Sequence, residues 1–363
     1  MPKLKVVFAG GGTSGHRLPI LTVYEQLKQL TAVEAWYFGT ATDVASPEIK
    51  DSELQTEIIT SGKLRRYLSW QNISDLGKVW QGWQTSRRRL AEINPDVVFV
   101  KGGFVSVPVA LAAKKLGIPV ITHESDAVLG LANKIISRAA RAVAVTFPVG
   151  QYPKRWRRKM HLTGPLMRPE LVGQRWQSRA KPQSILILGG SQGARRINQL
   201  IWDALPKLIK EIKIVHQTGL IDLERARELK QDLPAGQRTA YQPVGFIAGG
   251  DRLVKRLLAA EIVISRAGST VFELALLGVP SILIPLSTSA GGHQVKNARH
   301  FADRRAAVVL DETTLTADEL RTQIKRLLLI RSRRDKLSVA MRELAVADGA
   351  ARVAALIVEH GQR

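Results

Sequence analysis

The sequence contains no cysteine. Disulfides, thiolate metal sites and cysteine nucleophiles are therefore excluded, and the composition suits a reducing cytoplasm. No stretch reaches the roughly 18 uninterrupted apolar residues that a membrane-spanning helix needs. The amino terminus, MPKLKVVFAGGG, lacks an apolar signal core and a small-residue cleavage site, so no export signal is expected. Aromatics make up only 6% of the chain. Acidic side chains are the minority charge: 54 Lys and Arg against 31 Asp and Glu leave a net charge of +23. Nucleic acid, an anionic membrane, a phosphate-rich substrate or a general solubility bias would each account for that excess. No Asp-x-Asp pair of the kind that clamps a metal stands out.

What is present fits two domains. The chain has 363 residues and 45% apolar content, too long for one ordinary domain and enough for two buried cores. Short apolar runs alternate with longer helical patterns. The first set is KVVFA (5–9), EAWYFGT (34–40), VVFV (97–100), VITH (120–123) and AVAVTF (142–147). The second is SILILGG (184–190), KIVHQTG (213–219), IVISRAG (262–268), SILIPL (281–286) and AVVL (307–310). Several are continuous rather than alternating, as in strands covered on both faces, and predict doubly wound α/β architecture. The proline-rich, polar segment 163–183 breaks the rhythm and reads as the connection between domains. An apolar-faced helix, AARVAALIVE (350–359), closes the chain and needs a surface to dock on.

Each half opens with strand, glycine loop and helix: GGGTSGH (10–16) in the first, GGSQGAR (189–195) in the second. Such a turn brings backbone N–H groups and the positive helix end to one point, where phosphate is a natural occupant. Tight strand-to-helix packing can also demand glycine there. Neither loop carries the Lys-Ser/Thr of a P-loop. The strand EAWYFGT ends in Gly and Thr rather than the acid that holds an NAD ribose, which disfavours a dinucleotide.

Five motifs then fall in order: GGGTSGHRLP, HESDAVLGLANK (123–134), GGSQGARRIN (189–198), ISRAGSTVFELALLGVPSILIP (264–285) and GGHQVKNA (291–298). Together they resemble the MurG family (glycosyltransferase family 28) over nearly the full length. The resemblance implies a GT-B fold, two doubly wound Rossmann-like domains facing a central cleft. It implies domains at 1–164 and 165–344, with a terminal helix, about 345–363, packed back on the first. It implies an inverting transferase that moves N-acetylglucosamine from UDP-GlcNAc to the C4 hydroxyl of the muramic acid of lipid I, giving lipid II. No cofactor and no metal would be required, and the protein would sit peripherally on the cytoplasmic membrane face.

An imidazole opening the first helix can act as a base or donate to phosphate, and the resemblance places His16 near the reacting centre. Thr13, Ser14 and Gly15 line the same pocket, with Ser14 where relatives more often have glycine. Asp126 stands where many relatives have asparagine, so His16, Asp126 and Glu124 all remain candidates for the base. Asn133 faces the acceptor by resemblance, as do Thr13 and His16. Ser191, Gln192 and Gly193 would hold the UDP phosphates, with the helix N-terminus and Arg266 substituting for a cation. Glu273 would accept from the ribose hydroxyls beside Ser269 and Thr270, in a loop one residue shorter than is usual in relatives. Gln294 and Asn297 would reach the donor sugar, and Arg168 and Ile247 the uracil.

Two basic segments carry aromatics. Residues 63–89 hold Ile73, Leu76, Trp80 and Trp83 at helical spacing; residues 147–160 mix Phe147, Tyr152 and Trp156 with five cations. Aromatics flanked by cations suit an anionic bilayer interface. The alternative for 73–83 is a core stripe with solvated charges. No RNA-binding signature appears and no nucleic-acid partner is expected, although charge alone leaves a nucleic-acid-binding protein, or a transferase for another lipid acceptor, as competing hypotheses.

Overall fold

The computed structural model describes residues 3–12, 14–62, 71–190, 193–247 and 250–362, with the backbone alone at 14 and 71–76. The chain divides into two compact units, Met1–Arg168 with Ala347–Arg363, and Pro169–Val346. These boundaries fall slightly later than the sequence expectation, at 168 against 164 and at 346 against 344.

In the first unit, strands β1 (Leu4–Ala9), β2 (Val33–Gly39), β3 (Gln55–Ile58), β4 (Val97–Val100), β5 (Val120–Glu124), β6 (Ala142–Val145) and β7 (Met160–Leu162) form one sheet in the order β3-β2-β1-β4-β5-β6-β7. All its pairings are parallel. The apolar runs of β1, β4 and β6 are buried almost throughout, because helices cover both faces of the sheet. Strand order reverses between β1 and β4, the switch point where open α/β sheets place ligands.

The terminal helix Gly349–Gly361 adds Val353, Ala354, Leu356 and Ile357 to the core formed by Leu4, Val6, Phe8 and Phe99. Gly349 has to be glycine for this docking, since a Cβ there would lie 2.2 Å from the Pro165 carbonyl oxygen.

The second unit repeats the plan. Strands β8 (Ser184–Leu188), β9 (Lys213–Gln217), β10 (Tyr241–Val244), β11 (Ile262–Ser265), β12 (Ser281–Leu283) and β13 (Val308–Val309) run parallel in the order β10-β9-β8-β11-β12-β13. Its switch point lies between β8 and β11.

Three strands had no apolar run to announce them: β3, β7 and β10. Each is a sheet edge, where one side meets solvent and polar residues are tolerated. The segment 163–183 is also less of a linker than its composition suggests. Trp176 is buried in the second unit, where its indole N–H donates to the Ala260 carbonyl (2.7 Å) and its backbone N–H to that of Leu277 (2.8 Å).

Candidate active site

The first glycine loop follows β1 at the switch point. Its bare backbone has an internal occupant. The buried Asp43 carboxylate accepts the Gly12 N–H (3.0 and 3.1 Å), the Thr40 hydroxyl (2.6 Å) and the Arg17 guanidinium (2.9 Å). A Cβ on Gly11 would lie 2.0 Å from an Asp43 oxygen. This corrects the sequence argument for the first loop: Gly11 makes room for the chain's own carboxylate, and the Gly12 N–H is already used.

Sheet register brings the other groups of this site together. Ala9 pairs with Val100 and Val100 with Thr122, so Gly10, Lys101 and His123 follow at one level. His16, half-buried, shares a hydrogen bond of 2.8 Å between Nδ1 and the Gly11 carbonyl. A carbonyl only accepts, so that bond puts the proton on Nδ1 and makes Nε2 the basic nitrogen. Burial, then the charge of Lys101, lowers the His16 pKa to about 4, against smaller opposing effects of Gly11, Asp43 and Asp126. The imidazole is neutral at pH 7.

Of the three candidate bases, Glu124 is the most committed to structure. It is buried, and its carboxylate accepts from Asp126 N–H (3.0 Å), Gly130 N–H (2.9 Å) and the Asn133 amide (2.9 Å). Burial raises its pKa and the charge of Asp126 adds to this, while those hydrogen bonds oppose. Asp126 is half-buried; its backbone carbonyl accepts from the Tyr152 hydroxyl (2.9 Å). Asn133 departs from the expectation of an acceptor-facing residue. It is buried and both its amide hydrogens are used, one on Glu124 and one on the His123 carbonyl (3.1 Å), while its oxygen accepts from Thr122 (3.0 Å). A short amide on helix Leu131–Ala139 instead braces the end of β5.

Lys101 and Asp43 are site residues that no sequence motif singles out. Lys101 directly follows the run VVFV (97–100), and a lysine at the end of a buried strand is a usable signal. Asp43 lies in a polar stretch with no distinguishing pattern.

In the second unit, Gly193 has φ +82°, and a Cβ there would lie 2.5 Å from the Thr218 carbonyl oxygen. Both facts demand glycine. Gly193 and Ala194 lead into helix Arg195–Leu208, whose N-terminus supplies positive potential. Ser191 and Gln192, like Thr13, lie outside the described residues, and the Ser14 side chain does too. Gly15 is exposed and Arg168 half-buried.

Arg266, expected to substitute for a cation beside the diphosphate, is ion-paired within its own unit. Its guanidinium donates to Glu312 (2.6 Å) and to the Ile284 carbonyl (3.1 Å), so a carboxylate already balances its charge. Glu273 is buried in the first turn of helix Thr270–Leu277, with Ser269 exposed and Thr270 half-buried at its start. Asn297 is buried and donates to the Ala267 carbonyl (3.0 Å); Gln294 accepts the Leu286 N–H (2.9 Å). The Ile247 N–H donates to the Gln217 side chain (3.0 Å).

Comparison with known proteins decides the family. Residues 6–145 match the glycosyltransferase family 28 N-terminal domain, and residues 184–353 match its C-terminal domain. A Clostridium novyi protein named "UDP-N-acetylglucosamine--N-acetylmuramyl-(pentapeptide) pyrophosphoryl-undecaprenol N-acetylglucosamine transferase" is 37% identical over 339 residues, 90% of this chain and 91% of the relative. A protein of the same name from Shouchella clausii is 35% identical, covering 89% of this chain and 90% of its own. The chain belongs to glycosyltransferase family 28.

The crystal structure of Acinetobacter baumannii MurG superposes with a TM-score of 0.77 at 30% identity, over 99% of this chain and 100% of that one. The calicheamicin glycosyltransferase CalG4 superposes at 0.70 with 16% identity, over 100% and 99%, a likeness of fold alone. Two parallel-sheet α/β units are the GT-B organisation that the resemblance implied.

Family membership gives the two basic segments a context, and the structure separates them. Phe147, Tyr152 and Trp156 are all buried, with Arg155 and Arg138 over the Trp156 ring. These aromatics are core, so the expected aromatic membrane face of 147–160 does not form; the cations fully exposed there are Lys154, Arg155 and Arg158. The helix Gln71–Ile93 buries Gly82, Ser86, Leu90 and Ile93, and leaves Trp80 62% exposed among exposed Lys78, Arg87 and Arg88. Trp80 is thus not core. Residues 63–70 and the side chains of Ile73 and Leu76 lie outside the description. Among the described residues, no helix is long and apolar enough to cross a membrane.

Proposed function

We propose that this chain is the inverting transferase that carries N-acetylglucosamine from UDP-GlcNAc to the C4 hydroxyl of the muramic acid of lipid I, making lipid II. The observation that carries the chemistry is the neutral His16 imidazole at the first unit's switch point, with the Asp126 carboxylate in electrostatic reach. Nε2 accepts the hydroxyl proton as the oxygen attacks C1 of the sugar. The C1–O bond to UDP breaks, its electron pair leaves with the diphosphate, and the anomeric centre inverts. The imidazolium formed is favoured by the negative charge of Asp126.

The leaving charge falls on the 189–193 loop and the N-terminus of helix Arg195–Leu208, with exposed Arg195 at its first position. Glu273 holds the ribose, Gln294 and Asn297 the sugar, and Ile247 and Arg168 the uracil. No metal is required in this scheme. Trp80 with Lys78, Arg87 and Arg88 supports peripheral docking on the anionic cytoplasmic leaflet, where a lipid-linked acceptor is presented.

The test is UDP release and product formation from UDP-GlcNAc with a soluble lipid I analogue. Turnover that depends on the acceptor is expected. Absence of transfer to that acceptor, with UDP-GlcNAc bound, would sink the proposal.

A further inference from the structure

We propose that Lys101 is a positioning residue for this reaction: its buried ammonium, anchored on Ser125, ties the end of β4 to the Ser125–Asp126 turn and sets a fixed positive charge beside His16. The inference rests on the transferase reading.

Three observations carry it. First, a Cβ built on Gly10 would lie 3.3 Å from the Lys101 Cβ and 3.8 Å from the His16 Cβ, so the two side chains leave the backbone around one glycine. The turn after Lys101 closes on the same ring, since a Cβ on Gly103 would lie 3.4 Å from His16 Cε1.

Second, Lys101 is only 5% exposed, yet among the described residues its ammonium makes one hydrogen bond, to the neutral Ser125 hydroxyl (2.8 Å), and no ion pair. A structural lysine at such burial would be expected to saturate its three donors or pair directly with a carboxylate.

Third, the titratable groups coupled to it belong to this site: His16 comes from helix Ser14–Leu30, and His123, Glu124 and Asp126 from β5 and its turn. Burial lowers the ammonium's pKa, and Glu124 and Asp126 counter that. Lys101 in turn disfavours protonation of His16 and of His123, in both cases after burial. Lys101 thus adds to burial in disfavouring the imidazolium, while its hydrogen bond holds the carboxylate turn in place.

Lys101→Met removes the charge and keeps an apolar stem of similar volume. Two readouts are taken: the His16 titration by NMR on histidine-labelled protein, which needs no activity, and the steady-state transfer kinetics. The His16 midpoint should rise by about half a unit or more as the neighbouring positive charge is lost. Turnover should fall at least about tenfold because the Ser125–Asp126 turn loses its anchor, with the donor KM within about threefold because the donor is held in the second unit. An unmoved midpoint, or normal turnover, overturns the proposal.

Should Lys101→Met not fold, Ser125→Ala serves instead. It leaves the charge but frees the ammonium, and unchanged turnover together with an unchanged His16 midpoint would equally overturn the idea. Wild-type protein that transfers nothing condemns the transferase reading, while the NMR midpoint still judges Lys101. An active wild type with an indifferent Lys101→Met condemns only this inference.

Discussion

Asp43→Asn should destabilise the first unit by about 2.5–6 kcal/mol. The figure follows from the hydrogen-bond inventory. One Asp43 oxygen accepts from Gly12 and Arg17, and the other from Gly12, the Thr40 backbone N–H (3.2 Å) and the Thr40 hydroxyl. Asparagine has one oxygen. Whichever way it turns, its NH2 faces either the Arg17 guanidinium or the Thr40 N–H, donor against donor. The variant loses a charge-assisted hydrogen bond, worth about 1.5–3 kcal/mol, and leaves a buried donor unsatisfied at about 1–3 kcal/mol.

For a unit of this size, each kcal/mol is worth about 2–4 °C in melting temperature. Denaturant titration of both proteins at pH 7 measures the difference. The gap should also close in acid. Burial alone would raise the Asp43 carboxyl, but hydrogen bonds from Thr40, Gly12 and Arg17 outweigh it and hold the pKa below its ordinary 3.8. The stabilisation is therefore complete above that value and lost as pH falls through the folded pKa. A difference under about 0.5 kcal/mol at pH 7, the range of an ordinary surface substitution, would refute the view that Asp43 fills the first loop.

Other expectations follow from the site. If His16 is the base, kcat/KM should stay level as pH falls through 6.5 and decline only towards its pKa of about 4; a decline centred on 6.5 would show an unperturbed histidine or another group. His16→Ala should lower turnover more than donor affinity, and normal turnover would clear the imidazole of a chemical role. Glu273→Ala should weaken UDP-GlcNAc binding by about 1–3 kcal/mol by calorimetry, and unchanged affinity would remove it from the ribose. Trp80→Ala should reduce sedimentation with anionic vesicles while leaving the melting temperature nearly unchanged. Trp156→Ala, by contrast, should cost about 3–5 kcal/mol of stability. The reverse pattern would mean that Trp80 is the buried indole and Trp156 the exposed one.

Strand, loop and helix were legible in residues close together along the chain. VVFV and AVAV are continuous apolar runs, and such runs survive only as strands covered on both faces. A glycine cluster directly after one marks a loop where backbone must come close to something. The five ordered motifs carried the family for the same reason, each being a local stretch at the end of a strand or the start of a helix. Tertiary structure alone decided what fills those places. The occupant of the first loop lies 31 residues beyond Gly12, and the partner of Lys101 lies 24 residues further on; no pattern within a window of sequence joins them. It also decided which tryptophan meets water. Trp80 and Trp156 stand in equally basic surroundings, and burial depends on which face of each segment the rest of the unit covers, a property of the packed sheet and helices rather than of neighbouring residues.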